Sequence, residues 1–159
     1  MRVTRKQAET NREKILDSAL RLFTERGVNG VGVAEVMADA GFTHGGFYNH
    51  FASKDDLVLE ACSTSFERAA KSLRDGRLTD FGARLPLSEA SKGSAALSAM
   101  SAKGVSEFLE ILIDRYAERD RAAAALAGMV GARLISSAVE QADKELADLF
   151  TALVYPPEG

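Results

Sequence analysis

Apolar residues recur along this chain with a helical period, and that pattern predicts its elements. Ile15, Leu16, Ala19, Leu20 and Phe23 form one stripe, with Asn11 as the predicted N-cap and Gly27 ending the helix after Arg26. Alternation over Val28–Val33 is interrupted by glycines and reads as a loop. Val33–Ala40 is a short helix facing inward through Val33, Val36 and Met37. Gly41 stands behind it, and Thr43 is placed to cap a third helix over His44–Phe51. Ser53 and Asp56 approximate a capping box at the head of a long helix whose apolar side carries Leu59, Cys62, Phe66, Ala69, Ala70 and Leu73. Gly76, Gly82, Pro86 and Gly93 turn residues 75–94 into a loop with at most one short turn. Helical periodicity returns from Ala95 to Tyr116, again from Arg121 to Val139, and last through Leu146, Leu149, Phe150, Leu153 and Val154, closed by Pro156-Pro157. No strand pattern and no internal repeat emerges, so the expected fold class is all-α.

Charge and composition sharpen this picture. The 159 residues are 46% hydrophobic and 27% charged, an ordinary globular mix. A net charge of -3 hides a split. Residues 1–54 hold 8 Lys/Arg against 6 Asp/Glu, while residues 55–159 hold 12 against 17. A basic first third on an acidic body allows a local face for a polyanion. One cysteine excludes an internal disulfide framework, and no apolar run reaches the length of a membrane span. A soluble chain of the cytoplasm, with no membrane partner, is the expectation.

Two short helices joined by a tight turn behind a longer helix make a helix-turn-helix. Gly41 allows the reversal, Phe42 fills the angle, and Thr43 caps the second helix. A two-turn helix of this kind lies in a DNA major groove. Its residues suit that task. His44 sits at the tip, Gly45 and Gly46 permit close approach, Tyr48 and His50 offer hydrogen bonds, and Lys54 suits a phosphate. One such helix reads few base pairs, so two-fold pairing into a homodimer on near-palindromic double-stranded DNA is expected. The stretches at 121–139 and 143–154 are the candidate pairing surface.

The runs Ile15-Leu16…Ala19…Leu22-Phe23…Arg26-Gly27, Val33-Ala34-Glu35-Val36-Met37, Ala40–Phe51 and Ser53-Lys54-Asp55-Asp56-Leu57 resemble the DNA-binding domain of TetR/AcrR-type transcriptional regulators. The resemblance covers roughly residues 10–60. Gly128–Leu134 is similar to a late helix that such proteins use for pairing. The resemblance implies a helix-turn-helix domain over 1–53 and a helical effector-binding and dimerisation domain over 54–159. It also implies transcriptional regulation, by repression that a small apolar or amphipathic molecule relieves. The implied DNA-binding residues are Thr43, His44, Gly45, Gly46, Tyr48, Asn49, His50 and Lys54. The chain departs from the family at Met37, where a small residue is common, and at Gly46, where a small polar residue often touches DNA. It also carries fewer helices than usual. Either the ligand domain is trimmed, or residues 75–94 adjoin a segment absent from this sequence.

Other readings stand beside these. His44 and His50 lie on different helix faces, which argues against a metal site, and no cofactor is expected. Asp56 and Glu60 read as capping and surface charge. Arg2, Arg5 and Lys6 read as a disordered tail or as a minor-groove arm. Cys62, Phe66, Met100, Phe108, Tyr116 and Met129 read singly as core and, as a set, as candidates to line an effector cavity. The alternatives in function are an effector-independent DNA-binding or architectural protein and a small helical enzyme. No nucleophile–base–acid set supports the enzyme.

Overall fold

The computed structural model describes residues 4–76, 95–139 and 143–154. The fold is all-helical. Helix α1 spans Arg5–Arg26 and α2 spans Val33–Asp39; a 3₁₀ segment, His44–Asn49, follows. Then come α3 (Lys54–Arg74), α4 (Ala95–Tyr116), α5 (Arg119–Val139) and α6 (Lys144–Val154).

Helix α1 starts earlier than its pattern suggests. Thr4, not Asn11, is the N-cap, and its hydroxyl accepts from the Gln7 N–H at 3.2 Å. Asn11 lies inside the helix, its side-chain oxygen accepting from Gln7. Arg5 and Lys6 are therefore helical rather than part of a tail, and Arg5 pairs with Glu9. Arg2 lies outside the described residues. The predicted stripe is buried, and Leu22 joins it. Gly27 ends the helix at φ 73°, its N–H donating to the Phe23 carbonyl.

The turn after α2 is a Schellman motif. The Phe42 N–H donates to the Met37 carbonyl at 2.8 Å, and the Gly41 N–H donates to Ala38 at 3.1 Å. Gly41 holds the left-handed φ of 81° that this geometry requires. At the start of α3, Ser53 Oγ accepts from the Asp56 N–H, as the capping reading expects, but the Asp56 carboxylate accepts from the Ala52 N–H rather than from Ser53 itself, so the box closes one residue early. The tract 77–94, with Gly82, Pro86 and Gly93, and the Pro156-Pro157 ending both lie outside the described residues.

Contacts divide the chain into two compact units. The first holds residues 4–66 and 95–101, the second 67–76, 102–139 and 143–154. The core of the first joins Ile15, Leu16, Ala19 and Phe23 of α1, Val36 and Met37 of α2, Phe47, Phe51, then Leu57, Ala61 and Cys62 of α3 and Leu97 of α4. In the second, Leu73, Phe108, Leu112, Leu126, Met129 and Ala147 are buried. Helices α5 and α6 pack together, and Ser136 Oγ donates to the Ala147 carbonyl at 3.0 Å. Helix α5 starts two residues before the predicted Arg121, because Ala117, at φ 59°, turns the chain sharply after α4. No helix among the described residues is long and apolar enough to cross a membrane.

Candidate nucleic-acid interface

The segment after the turn is a 3₁₀ helix over His44–Asn49, not the α-helix to Phe51 that the pattern predicts. The glycine pair explains the difference. Each glycine costs an α-helix about 1 kcal/mol relative to alanine. Here the Gly46 N–H donates to the Thr43 carbonyl and the His50 N–H to Phe47, both three residues back. Thr43 holds the extended N-cap backbone, but its side chain makes no capping hydrogen bond. That is a correction to the expected cap.

Two anchors fix the segment. Phe47 and Phe51 are fully buried and stacked with ring centroids 5.6 Å apart. Burying them turns Thr43, His44, Gly45, Tyr48 and Asn49 to solvent. Tyr48 is 69% exposed. Its ring meets Phe47 edge-on at 5.3 Å and His44 at 6.4 Å, so its rotamer is supported although most of the side chain is exposed. His50 is half-buried, its ring 6.5 Å from Phe42 of the turn.

Gly46 and Met37 fit one another. A Cβ at Gly46 would lie 3.6 Å from the Met37 methyl, in ordinary contact. The Thr43 hydroxyl lies 3.9 Å from the same point. The two departures from the family pattern are therefore neighbours in space. Gly45 differs, because nothing lies within 4 Å of a Cβ built there.

The nearby charges are tied inward. Lys54 is half-buried, and its Nζ donates to the Val28 carbonyl at 2.8 Å, holding α3 to the loop after α1. An ammonium has three donors, so others remain for a phosphate. Arg12 pairs with Glu60, which corrects the reading of Glu60 as plain surface charge. Sequence reasoning missed Arg12. The available signal was a cation one turn before Ile15 and Leu16, on the apolar stripe itself. Glu35 accepts from the Gly32 N–H at 2.8 Å and pairs with Arg26; those contacts hold its carboxyl below the usual range. Asp39 is likewise lowered, chiefly by its hydrogen bond from Arg21, then by Ser18. Among the described residues no group of three or more His, Cys, Asp or Glu is placed to hold a metal ion.

The six effector-pocket candidates fall in different units. Cys62, Phe66 and Met100 belong to the first; Phe108, Tyr116 and Met129 belong to the second. Cys62, Phe66, Phe108 and Met129 are buried, while Met100 and Tyr116 are half-buried. Within the second unit a cleft of about 500 Å³ is lined by Leu73, Arg74, Asp75, Gly76, Ile111, Asp114 and Arg115, and none of the six lines it.

This geometry is that of a helix-turn-helix protein. Residues 15–61 match the family described as bacterial regulatory proteins, tetR family. The AcrR regulator of Shigella flexneri is 44% identical over 59 residues, 37% of this chain and 27% of that protein. The KstR2 repressor of Mycobacterium tuberculosis is 37% identical over 54 residues, 34% of this chain and again 27% of that protein. The alignments thus span about a quarter of these relatives' length. Over most of the chain the fold is similar to that of reduced NemR from E. coli. Its TM-score is 0.71 at 19% identity, covering 91% of this chain and 95% of that one. Residues 15–61 thus carry the match to the tetR family, and beyond them the likeness to a solved structure is one of fold alone.

Proposed function

We propose that this chain is a sequence-specific DNA-binding transcriptional regulator. It acts in the cytoplasm as a homodimer on near-palindromic duplex DNA, and a small apolar or amphipathic molecule releases it. The carrying observation is the outward display of Thr43, His44, Gly45, Tyr48 and Asn49 over buried Phe47 and Phe51, inside the span that matches the family. Within that display His44 and Asn49 suit base edges and Tyr48 suits a phosphate. Gly45, free of neighbours, permits close approach to the backbone.

Dimerisation is supported by the last two helices. Leu134 and Ile135 of α5 and Leu146 and Leu149 of α6 are exposed. Earlier on α5, the sites a Cβ would take at Gly128 and Gly131 are open, which lets another helix approach closely. The cleft beside Leu73 and Ile111 has the size of small-molecule sites, and its charged rim suits an amphipathic effector.

The test is fluorescence anisotropy on a duplex enriched by this chain from a random library, beside a scrambled duplex of equal length. Tyr48→Phe weakens both by a similar factor, because it removes a phosphate contact. His44→Ala changes the ratio between them. A chain that enriches no duplex, or binds both equally at every salt concentration, overturns the reading.

A further inference from the structure

Arg12 is placed to do more than close an ion pair. Its Nε donates to Glu60 Oε1 at 2.7 Å, and one terminal nitrogen donates to Glu60 Oε2, so the guanidinium forks onto the carboxylate of α3. The other terminal nitrogen donates to the His50 carbonyl, at the residue that ends the 3₁₀ segment. The same guanidinium lies 4.2 Å from the centre of the Phe51 ring. One side chain of α1 thus holds α3, the last carbonyl of the recognition segment and one of its two aromatic anchors. Glu60 lies 48 residues away in sequence. The group is always charged, and the hydrogen bond it donates to Glu60 raises its pKa further. Its nitrogens are set in a rigid plane, so the direction of the Glu60 fork fixes the direction of the third hydrogen bond. A lysine has no such plane.

We propose that Arg12 is a positioning residue. Acting from Glu60 through the His50 carbonyl, it sets the angle at which the recognition segment stands on α3, and hence which bases His44 and Asn49 reach. The part about bases rests on the DNA-binding reading above; the part about angle does not.

The decisive variant is the charge swap Arg12→Glu with Glu60→Arg. It restores an ion pair, but a carboxylate at position 12 cannot donate to the His50 carbonyl. Three measurements are made on the full chain: the urea midpoint, the backbone amide NMR signals of Gly45 and Gly46 without DNA, and the ratio of affinities for the enriched and scrambled duplexes. Each single change lowers the midpoint, and the swap recovers most of that loss. The glycine signals stay displaced in the swap, and preference for the enriched duplex falls about tenfold, the scale of one misread base pair. Arg12→Lys, which keeps the charge without the fork, gives the same loss of preference and stands in should the swap not fold. A swap that restores both the glycine signals and the preference reduces the contact to an ion pair and overturns the proposal. Unmoved glycine signals in the folded variants overturn it too. If the wild-type chain enriches no duplex, the DNA-binding reading fails, while the glycine signals still judge the clamp.

Discussion

In the first unit Phe47 and, just after the 3₁₀ segment, Phe51 are fully buried in a core shared with α1, α2 and α3, while Tyr48 between them stays exposed. In the second unit α5 and α6 leave Leu134 65% and Leu149 53% exposed, with Ile135 and Leu146 near them on the same two helices. Scattered exposed leucines are normal on a protein surface. Here four apolar residues stand on two helices that pack together, one of which also carries the open positions Gly128 and Gly131. The first unit completes its core from its own chain. The second has apolar area left over, and because these side chains are already partly covered, burying each of them fully is worth about 1 kcal/mol.

Breaking the closed core gives the largest effect. Phe47→Ala removes a fully buried ring and costs about 3–5 kcal/mol, read as a lowered urea midpoint with collapse of the near-ultraviolet signal of the segment's aromatics. A cost below about 1 kcal/mol would mean that the ring does not anchor the segment. Leu134→Asp probes the open face. It leaves the folded unit within about 0.5 kcal/mol, as surface changes do, and weakens self-association by about 2 kcal/mol or more at each interface. Sedimentation at micromolar concentration reads this as a shift from dimer to monomer. An unshifted dimer moves the interface elsewhere.

These expectations divide as legibility in the sequence does. The stripe Ile15-Leu16-Ala19-Leu20-Phe23, the glycines at 27 and 41 and the capping serine at 53 act on neighbours a few residues away, so spacing alone revealed them. The 3₁₀ geometry was not legible. It balances a glycine pair against the burial of two phenylalanines, and that burial depends on helices elsewhere in the chain. Asn11 misled because its side chain suits a cap wherever it stands, while Thr4 sat in a stretch without apolar period. The Arg12–Glu60–His50 contact joins positions that no local rule connects. The cleft beside Ile111 was equally hidden, since it depends on how two distant helix ends meet.

A finer test of the closed core uses Met37 and Gly46. Gly46→Thr adds branching atoms beside the Met37 methyl and costs about 1 kcal/mol. In a Met37→Ala background the added atoms find room, and the double variant is more stable than the two single costs predict, with coupling of about 1 kcal/mol. Additive costs would show that the two positions do not share space.

The smallest effect is on acid stability. Glu35 and Asp39 have lowered pKa values when folded. A carboxylate lowered on folding contributes stability above its unfolded pKa and loses it as pH falls through the folded value. The first unit should therefore keep this contribution at neutral pH and lose it below about pH 4. Both groups lie on the surface, so the change is slight. Glu35→Gln should flatten the dependence of the urea midpoint on pH in that window, and an unchanged slope would assign it to other carboxylates.

The shortness of the recognition segment sets a limit on information. Thr43, His44 and Asn49 are its outward hydrogen-bonding groups beside Tyr48. One fully identified base pair carries about two bits, so even with Thr43 reading a base beside His44 and Asn49 the segment supplies about six and a pair of chains about twelve. Singling out one address among roughly 10⁶ competing sites takes about twenty. On the proposed reading, the remaining eight or so must come from the mechanics of the duplex, from step-dependent bending and groove width at positions no side chain touches. A search for targets by sequence motif alone would then return many false addresses, and ranking them by predicted flexibility should recover the true ones.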